Sequence, residues 1–550
     1  MSSVAIPSAR VSSWPTFSSR PFTLTRTQAR VAALVLTTVV ALGFRVAGLS
    51  TYGLSEDEVN KVRAIEQYQS GHFSANAEHP MLMKLAIWGT VELQRAWNLA
   101  VPPHRKIAFE TAVRLPNAVA GAATTAVLFG VAELLFGTGV AVVASTLWAL
   151  DVNAIAINRI GKEDSFLLLF FLLAIWCYER AKVQGATDPE GAQRWYTASG
   201  ASFGLMLASK YFPHFLGLYA LYNTITDREP GANRPDRWRH YGAMLVTFLA
   251  ANVAVLMPET WRYCVSYVQG GMLPHHGYLY AGHLYINNIP ISPLGLPVTY
   301  YVRFVATKLP LAVLTFAAVG LVEMARHRNE RGFVLLRVLV VFLLVPYSLM
   351  AAKFLRYTLP LVATIDLMAA VGFITLLRRS AWHQPSDRRS AESSRSAGPV
   401  TAAALTLTLA TAVVAPVAAA PFYSLYQNPL GDRLAAPGAT FSEETYDFGV
   451  REAVKAVLEA ARPSAVIVSD APGVVRQCLI DGGRWDIRAR SLSGEGIPYG
   501  PEETWVIVQD EHTTFENRDV VEQLRQRVRP WREFRARNVL AAQLFRLEGR

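Results

Sequence analysis

Three consecutive carboxylates, Glu56, Asp57 and Glu58, stand in the stretch "GLSEDEVNKVRAIEQYQSGHFSANAEHPMLMKL" (residues 53–85), with Glu78, His79 and Lys84 close behind. This stretch follows directly on an apolar run long enough to cross a bilayer. A carboxylate can take the proton of an attacking hydroxyl if it stays ionised and within hydrogen-bond reach. A structural reading stands beside that one: three acids also favour the N-terminus of a surface helix through its dipole.

Cations recur at a matching depth. Arg159 and Lys162, with Asp164, fall in the turn "NRIGKED"; Lys210 lies in "ASKYF", Lys308 in "ATKLPL", and Lys353 and Arg356 in "KFLRYTLP". Ionisable residues at membrane depth are costly and usually face a cavity or a partner. Each one alone reads equally well as a snorkelling side chain or a structural ion pair. Together they predict an electropositive pocket suited to a lipid-linked phosphate, whose departure cations would stabilise. Asp57 or Glu58 facing that pocket matches transfer of a phosphate-activated group to a hydroxyl.

The elements that must position these residues are membrane helices. The chain is 52% hydrophobic and only 17% charged, with a mean hydropathy of +0.23, whereas soluble domains carry about 25% charged residues. Apolar segments near 31–49, 112–135, 138–157, 164–181, 196–209, 211–224, 241–258, 300–322, 333–351, 357–377 and 400–421 predict about 11 spans. The net charge of +11 is concentrated in short segments between them, such as Arg234, Arg237 and Arg239, or Arg326, Arg328 and Arg331. That is the positive-inside pattern, and no basic stripe interleaved with aromatics points to nucleic acid. It places the leader 1–30 in the cytoplasm and residues 50–111, 259–299 and the C-terminal part outside. The long polar leader favours a retained signal anchor over a cleaved signal peptide.

Residues 380–399, rich in Ser and Arg, read as a flexible cytoplasmic linker. From about 440 the composition turns soluble: "SAVIVSD" and "TWVIVQD" read as buried strands, "EAVKAVLEAA" and "RDVVEQLRQRV" as helices, together a small α/β domain over 440–550. It lacks a GxGxxG after its first strand, so no nucleotide is assigned. Cys177, Cys264 and Cys478 are too few for a disulfide framework. A single bridge between the latter two depends on their Cα spacing. In the outer segment, His275, His276 and His283 lie among tyrosines. Metal binding, sugar or phosphate contact, and interfacial anchoring all remain open for them, as metal, sugar or cation contact does for Glu78.

At these residues the chain resembles the GT-C glycosyltransferases of family 39, which include protein O-mannosyltransferases and the lipid A aminoarabinose transferase. "SEDEVNKVRAI" is similar to the family's Asp-Glu motif, and "EHPMLMKL" to its His-Pro-Pro-Leu-x-Lys motif, departing at Met81. "VRLPNAVAG", "INRIGKEDSF", "GLMLASKY", "ATKLPL", "RYTLPLVA" and "PFYSLYQNPLGD" resemble further family segments in the same order, with Asp432 in place of a glycine. The resemblance spans most of residues 31–450 and implies a polytopic, mainly α GT-C fold with its catalytic domain over 31–425. It implies Asp57 as general base, with Glu58 orienting the acceptor or sharing that role. His79, Lys84, Arg114, Arg159, Lys210, Lys308, Arg356 and Tyr357 would hold the donor, with Asp164 fixing one of the cations.

The implied donor is a polyprenyl-phosphate sugar, mannose-like, with no nucleotide sugar and no certain cofactor, a divalent metal remaining open. The implied acceptor is a protein Ser or Thr, or alternatively a lipid or envelope glycan. The implied location is a bacterial plasma membrane, with the site and the C-terminal domain extracytoplasmic. A transporter would show inverted repeats, and none is seen in the sequence; a non-catalytic scaffold stays open.

Overall fold

The computed structural model describes residues 25–227, 234–268, 277–286, 295–382, 391–498 and 500–547, without the side chains of 380–382 and 391–402. The chain opens with α1 (Arg26–Val46), α2 (Glu56–Gln69), α3 (Leu82–Ala100), α4 (Phe109–Phe136) and α5 (Thr138–Leu150). There follow α6 (Val152–Asn158), α7 (Asp164–Gln184), α8 (Pro189–Ser209), α9 (His214–Thr226), α10 (Arg237–Ala251) and α11 (Pro258–Val268). After a short hairpin, β1 (Tyr278–Tyr280) and β2 (His283–Tyr285), come α12 (Tyr300–Lys308), α13 (Leu311–Arg326), α14 (Arg331–Leu349), α15 (Leu359–Trp382) and α16 (Ala391–Ala419).

Every apolar segment singled out in the sequence contains helix, but the expected span count does not follow from length and composition. Among the described residues, four helices are long and apolar enough to cross a membrane, or up to six if each bent pair is one span. The bent pairs are α5 with α6, at 59°, and α12 with α13, at 120°. Asp151 makes the first bend, since its Oδ1 accepts from the Ala154 amide at 2.7 Å and starts a new helix. Pro310 makes the second: it has no amide to donate, and it holds Leu309 extended, with ψ 143°. Helices α9 and α10 have 13 and 15 residues, about 20 Å each at ~1.5 Å per residue, against a hydrocarbon core of about 30 Å. Of the expected linker, 383–390 lie outside the described residues, and 391–399 belong to α16.

Close helix contacts depend on absent side chains. A Cβ on Gly320 of α13 would lie 2.1 Å from the Met368 carbonyl, and one on Gly372 of α15 would lie 2.0 Å from that of Phe316. Small residues at such crossings let backbones approach where lipid offers no hydrophobic drive for association.

The C-terminal part forms a five-stranded sheet in the order β4-β3-β5-β7-β6. It is built from β3 (Val466–Val468), β4 (Arg488–Arg490), β5 (Thr504–Val508), β6 (Arg532–Ala536) and β7 (Val539–Leu547). Strand β3 runs parallel to β4 and β5, while β7 is antiparallel to β5 and β6. The two apolar runs read from the sequence are β3 and β5, buried at every residue, as central strands covered on both faces must be. The β6–β7 hairpin was not legible, because Arg532, Glu533 and Arg535 leave β6 without an apolar pattern; β6 is the sheet edge, where charge discourages further pairing.

Residues 50–111 are packed into the body of the protein. Val59 and Ile65 of α2, Ile87 of α3 and Val113 of α4 share one buried cluster with Ile467 and Trp505 of the sheet. The α/β domain is therefore continuous with the membrane part through α2 and α3. Trp505 is fully buried there. Trp505→Ala should cost about 3–5 kcal/mol. It should lower the unfolding midpoint in detergent and open residues 50–111 to protease; protection of that segment in the variant would mean the two parts pack independently.

Candidate active site

The site is organised by the first turn of α2. Ser55 is its N-cap, and the Ser55 amide donates to Glu58 Oε2 at 2.9 Å, a reciprocal cap that leaves Glu58 pointing inward. There Glu58 is fully buried and accepts from Arg114 of α4 on both oxygens, at 2.8 Å each. The Gly161 amide donates to Glu58 Oε1 at 2.9 Å. Arg114 also donates to the carbonyls of Leu49, Tyr52 and Gly53, at 2.7, 3.0 and 2.6 Å. Neither side chain borders the cavity described next. Glu58 is thus placed as a clamp rather than as a catalytic group, and Arg114 as its partner rather than as a donor ligand.

One residue earlier, Asp57 turns outward. It pairs with Lys162, in the turn between α6 and α7, and its side chain keeps 44% exposure while Lys162 keeps 3%. Asp57, His79, Lys162, Lys210, Arg356 and Tyr357 all border one cavity of about 1480 Å³. Asp164 anchors its floor, with Lys210 Nζ 2.7 Å from Oδ1 and Arg356 Nε 4.0 Å from Oδ2. Aromatic faces steady both cations: Lys210 lies 4.4 Å from the Tyr357 ring centroid and Arg356 4.1 Å from that of Phe354. Apolar side chains also line the cavity, among them Phe248, Leu249, Val255, Phe342 and Pro346.

Charges set the protonation of this site. Burial works to raise the Asp57 carboxyl, but Lys162, then Arg356 and Lys61, outweigh it and hold the group below the usual carboxylate range. Lys61 is itself paired with Glu163 at 2.8 Å, both 1% exposed. His79 lies 3.6 Å from Glu163, yet burial outweighs that attraction and keeps the imidazole neutral. Glu78 also borders the cavity and accepts from the Asn76 amide group.

Three other expected donor ligands lie away from the cavity. Lys84 donates to the carbonyls of Asn76 and His79, both at 2.8 Å. Arg159 donates to the carbonyls of Ala47 and Gly48, at 2.5 and 2.8 Å, capping the end of α1. Lys308 pairs with Glu444 at 3.0 Å and donates to the Ser424 carbonyl at 2.7 Å. Each satisfies buried oxygens, which a charge taken out of water requires. His283, on β2, is exposed and away from the cavity, whereas His275 and His276 lie outside the described residues. Cys177, Cys264 and Cys478 are all free thiols.

The sequence reading missed a whole wall. Glu443, Tyr446, Asp447, Glu511 and His512 also border the cavity. Tyr446 and Asp447 have φ of +42° and +59°, a left-handed reversal costing about 1–2 kcal/mol per residue. It brings Asp447 Oδ2 within 2.8 Å of the Glu56 amide, so the C-terminal domain holds the start of α2. His512 Nε2 lies 2.7 Å from Asp447 Oδ1. Burial works to lower the His512 pKa, but Asp447 and Glu511 raise it to about 10. Burial, then Asp447, pushes Glu511 up to about 8. The acid-rich strings "SEETYD" and "DEH" were the only signal available, and nothing local tied them to residue 56.

Residues 107–256 match the model of the dolichyl-phosphate-mannose-protein mannosyltransferase family. A putative mannosyltransferase, YycA of Bacillus subtilis (strain 168), is 30% identical over 167 residues, which are 30% of this chain and 22% of that relative. The alignment thus reaches less than a quarter of the curated relative. The apo crystal structure of ArnT from Cupriavidus metallidurans superposes with a TM-score of 0.51 at 15% identity, over 94% of this chain and 98% of that one. The Archaeoglobus fulgidus oligosaccharyltransferase tethered with an acceptor peptide gives 0.49 at 10% identity, over 88% and 69%. The apolar helices and the fold shared with ArnT define an integral membrane protein of mainly helical GT-C architecture. Over residues 107–256 the chain is similar to that mannosyltransferase family, and over nearly its whole length it shares the fold of ArnT.

Glu58→Gln should cost about 3–5 kcal/mol, because it leaves the buried Arg114 charge uncompensated. The check is the thermal midpoint of the purified variant; a midpoint equal to that of the parent protein would show that the clamp holds nothing.

Proposed function

We propose that the protein transfers a mannose-like hexose from a polyprenyl-phosphate carrier to an acceptor hydroxyl, protein Ser or Thr being favoured, at the extracytoplasmic face of a bacterial plasma membrane. One observation carries the reading: an ionised carboxylate, Asp57, shares a cavity with Lys162, Lys210 and Arg356, and apolar side chains also line that cavity. The apolar lining suits a prenyl chain and the cations suit its phosphate. The family description, naming dolichyl-phosphate mannose and protein, supports the donor and acceptor classes. The arginine-rich inner loops support the orientation.

In the reaction, the acceptor oxygen attacks the anomeric carbon from the face opposite the phosphate. The carbon–oxygen bond to phosphate breaks, its electron pair leaves with the phosphate, and the anomeric centre inverts. Asp57 takes the hydroxyl proton. Lys210 and Arg356 stabilise the growing phosphate charge, with Asp164 holding both cations in place. A bound phosphate would also compete for Lys162, releasing Asp57 toward the acceptor. His79, kept neutral at the same wall, can hydrogen-bond a sugar hydroxyl without adding charge.

Asp57→Asn should lower transfer from a labelled polyprenyl-phosphate sugar by about 10²–10⁴-fold while leaving donor binding in place. Arg356→Glu should abolish donor binding itself. Transfer at the parent rate by Asp57→Asn would remove the base; unchanged donor binding by Arg356→Glu would remove the phosphate site.

A further inference from the structure

The cavity carries both signs of charge. Its cations serve the proposed phosphate, but Glu56 of α2 and Glu443, Asp447 and Glu511 of the C-terminal part also border it, with His512 among them. The transfer reaction gives Asp447, Glu511 and His512 no role.

We propose that Asp447, Glu511 and His512 form a binding site for one divalent metal ion, of the zinc or manganese type. One ligand atom from each residue can be chosen so that all three lie within 4.8 Å of one another, close enough for a single ion to gather them with small side-chain movements. One imidazole nitrogen with two carboxylate oxygens is a donor set suited to Zn²⁺ or Mn²⁺, whereas Ca²⁺ and Mg²⁺ prefer all-oxygen shells.

The ligands are held from behind, as metal ligands usually are. Asp447 Oδ2 accepts from the Glu56 amide at 2.8 Å, leaving Oδ1 on the His512 side. Glu511 Oε2 accepts from the Thr445 hydroxyl at 2.6 Å and from the Asp447 amide at 3.0 Å. A short turn, residues 445–447, therefore supplies one ligand and orients a second. The three residues all border the open cavity, so an ion has a way in. Three protein ligands leave coordination positions free, as catalytic rather than structural zinc sites do.

His512 and Asp447 at 2.7 Å can also be read as an ion pair with no metal, and the test separates the two. The site is independent of the transfer reading, because binding is measured without turnover. Full-length protein in detergent is stripped with a chelator and titrated with Zn²⁺. The expected result is one ion per chain, with affinity at least ten-fold weaker in Glu511→Gln and His512→Gln and unchanged in His283→Ala. Glu511→Gln keeps the side-chain volume and the acceptor for Thr445, so its fold is protected. Pulsed electron paramagnetic resonance of Mn²⁺ on the unmodified chain adds a readout that needs no variant, since an imidazole ligand modulates the signal. No stoichiometric Zn²⁺ binding, equal affinity in the two site variants, or a Mn²⁺ signal without imidazole modulation would each overturn the proposal.

Discussion

A buried charge must be matched where it stands, and the Glu58–Arg114 pair is where this constraint shapes the molecule. Glu58 joins the start of α2, the middle of the α4 first turns and the Gly161 amide in one dry contact. Replacing either partner alone leaves the other uncompensated in a low-dielectric setting, which is why the arrangement is rigid. Rigidity here has a direction. With Glu58 fixed inward, the preceding residue of the helix is rotated by about 100°, so Asp57 faces the cavity and Lys162.

The same economy of charge runs through the turn between α6 and α7. Arg159 closes the end of α1, Lys162 meets Asp57, Glu163 meets Lys61, and Asp164 meets Lys210. Four neighbouring residues thus tie the end of α1, the helix α2 and the end of α8 together. The C-terminal domain completes this frame: Asp447 receives the Glu56 amide, and Arg451 donates to the Ser50 and Thr51 carbonyls at 3.1 and 2.8 Å. It is a wall of the site as much as a separate unit.

What the sequence disclosed follows from these contacts. Asp57, Lys210 and Arg356 were legible because each interrupts or borders an apolar run, and depth in a membrane can be counted along the chain. Direction cannot. Glu58, Arg114, Arg159, Lys84 and Lys308 are charged residues of the same segments, yet turn into backbone carbonyls or buried partners. Glu443, Asp447 and His512 were illegible for another reason: Asp447 reaches the amide of a residue 391 positions away, and only the shared core under the sheet sets that register. The membrane bundle showed the same limit, since apolar runs marked every helix but not the breaks at Asp151 and Pro310 that bend two of them.

The central claim is spatial, and a structure of the protein with a polyprenyl phosphate bound tests it most directly. The account predicts the phosphate within hydrogen-bond distance of Lys210 and Arg356, the prenyl chain along Phe248 and Phe342, and Asp57 across from the phosphate. A phosphate seated away from both cations, or a chain entering on the side of Arg114, would contradict it.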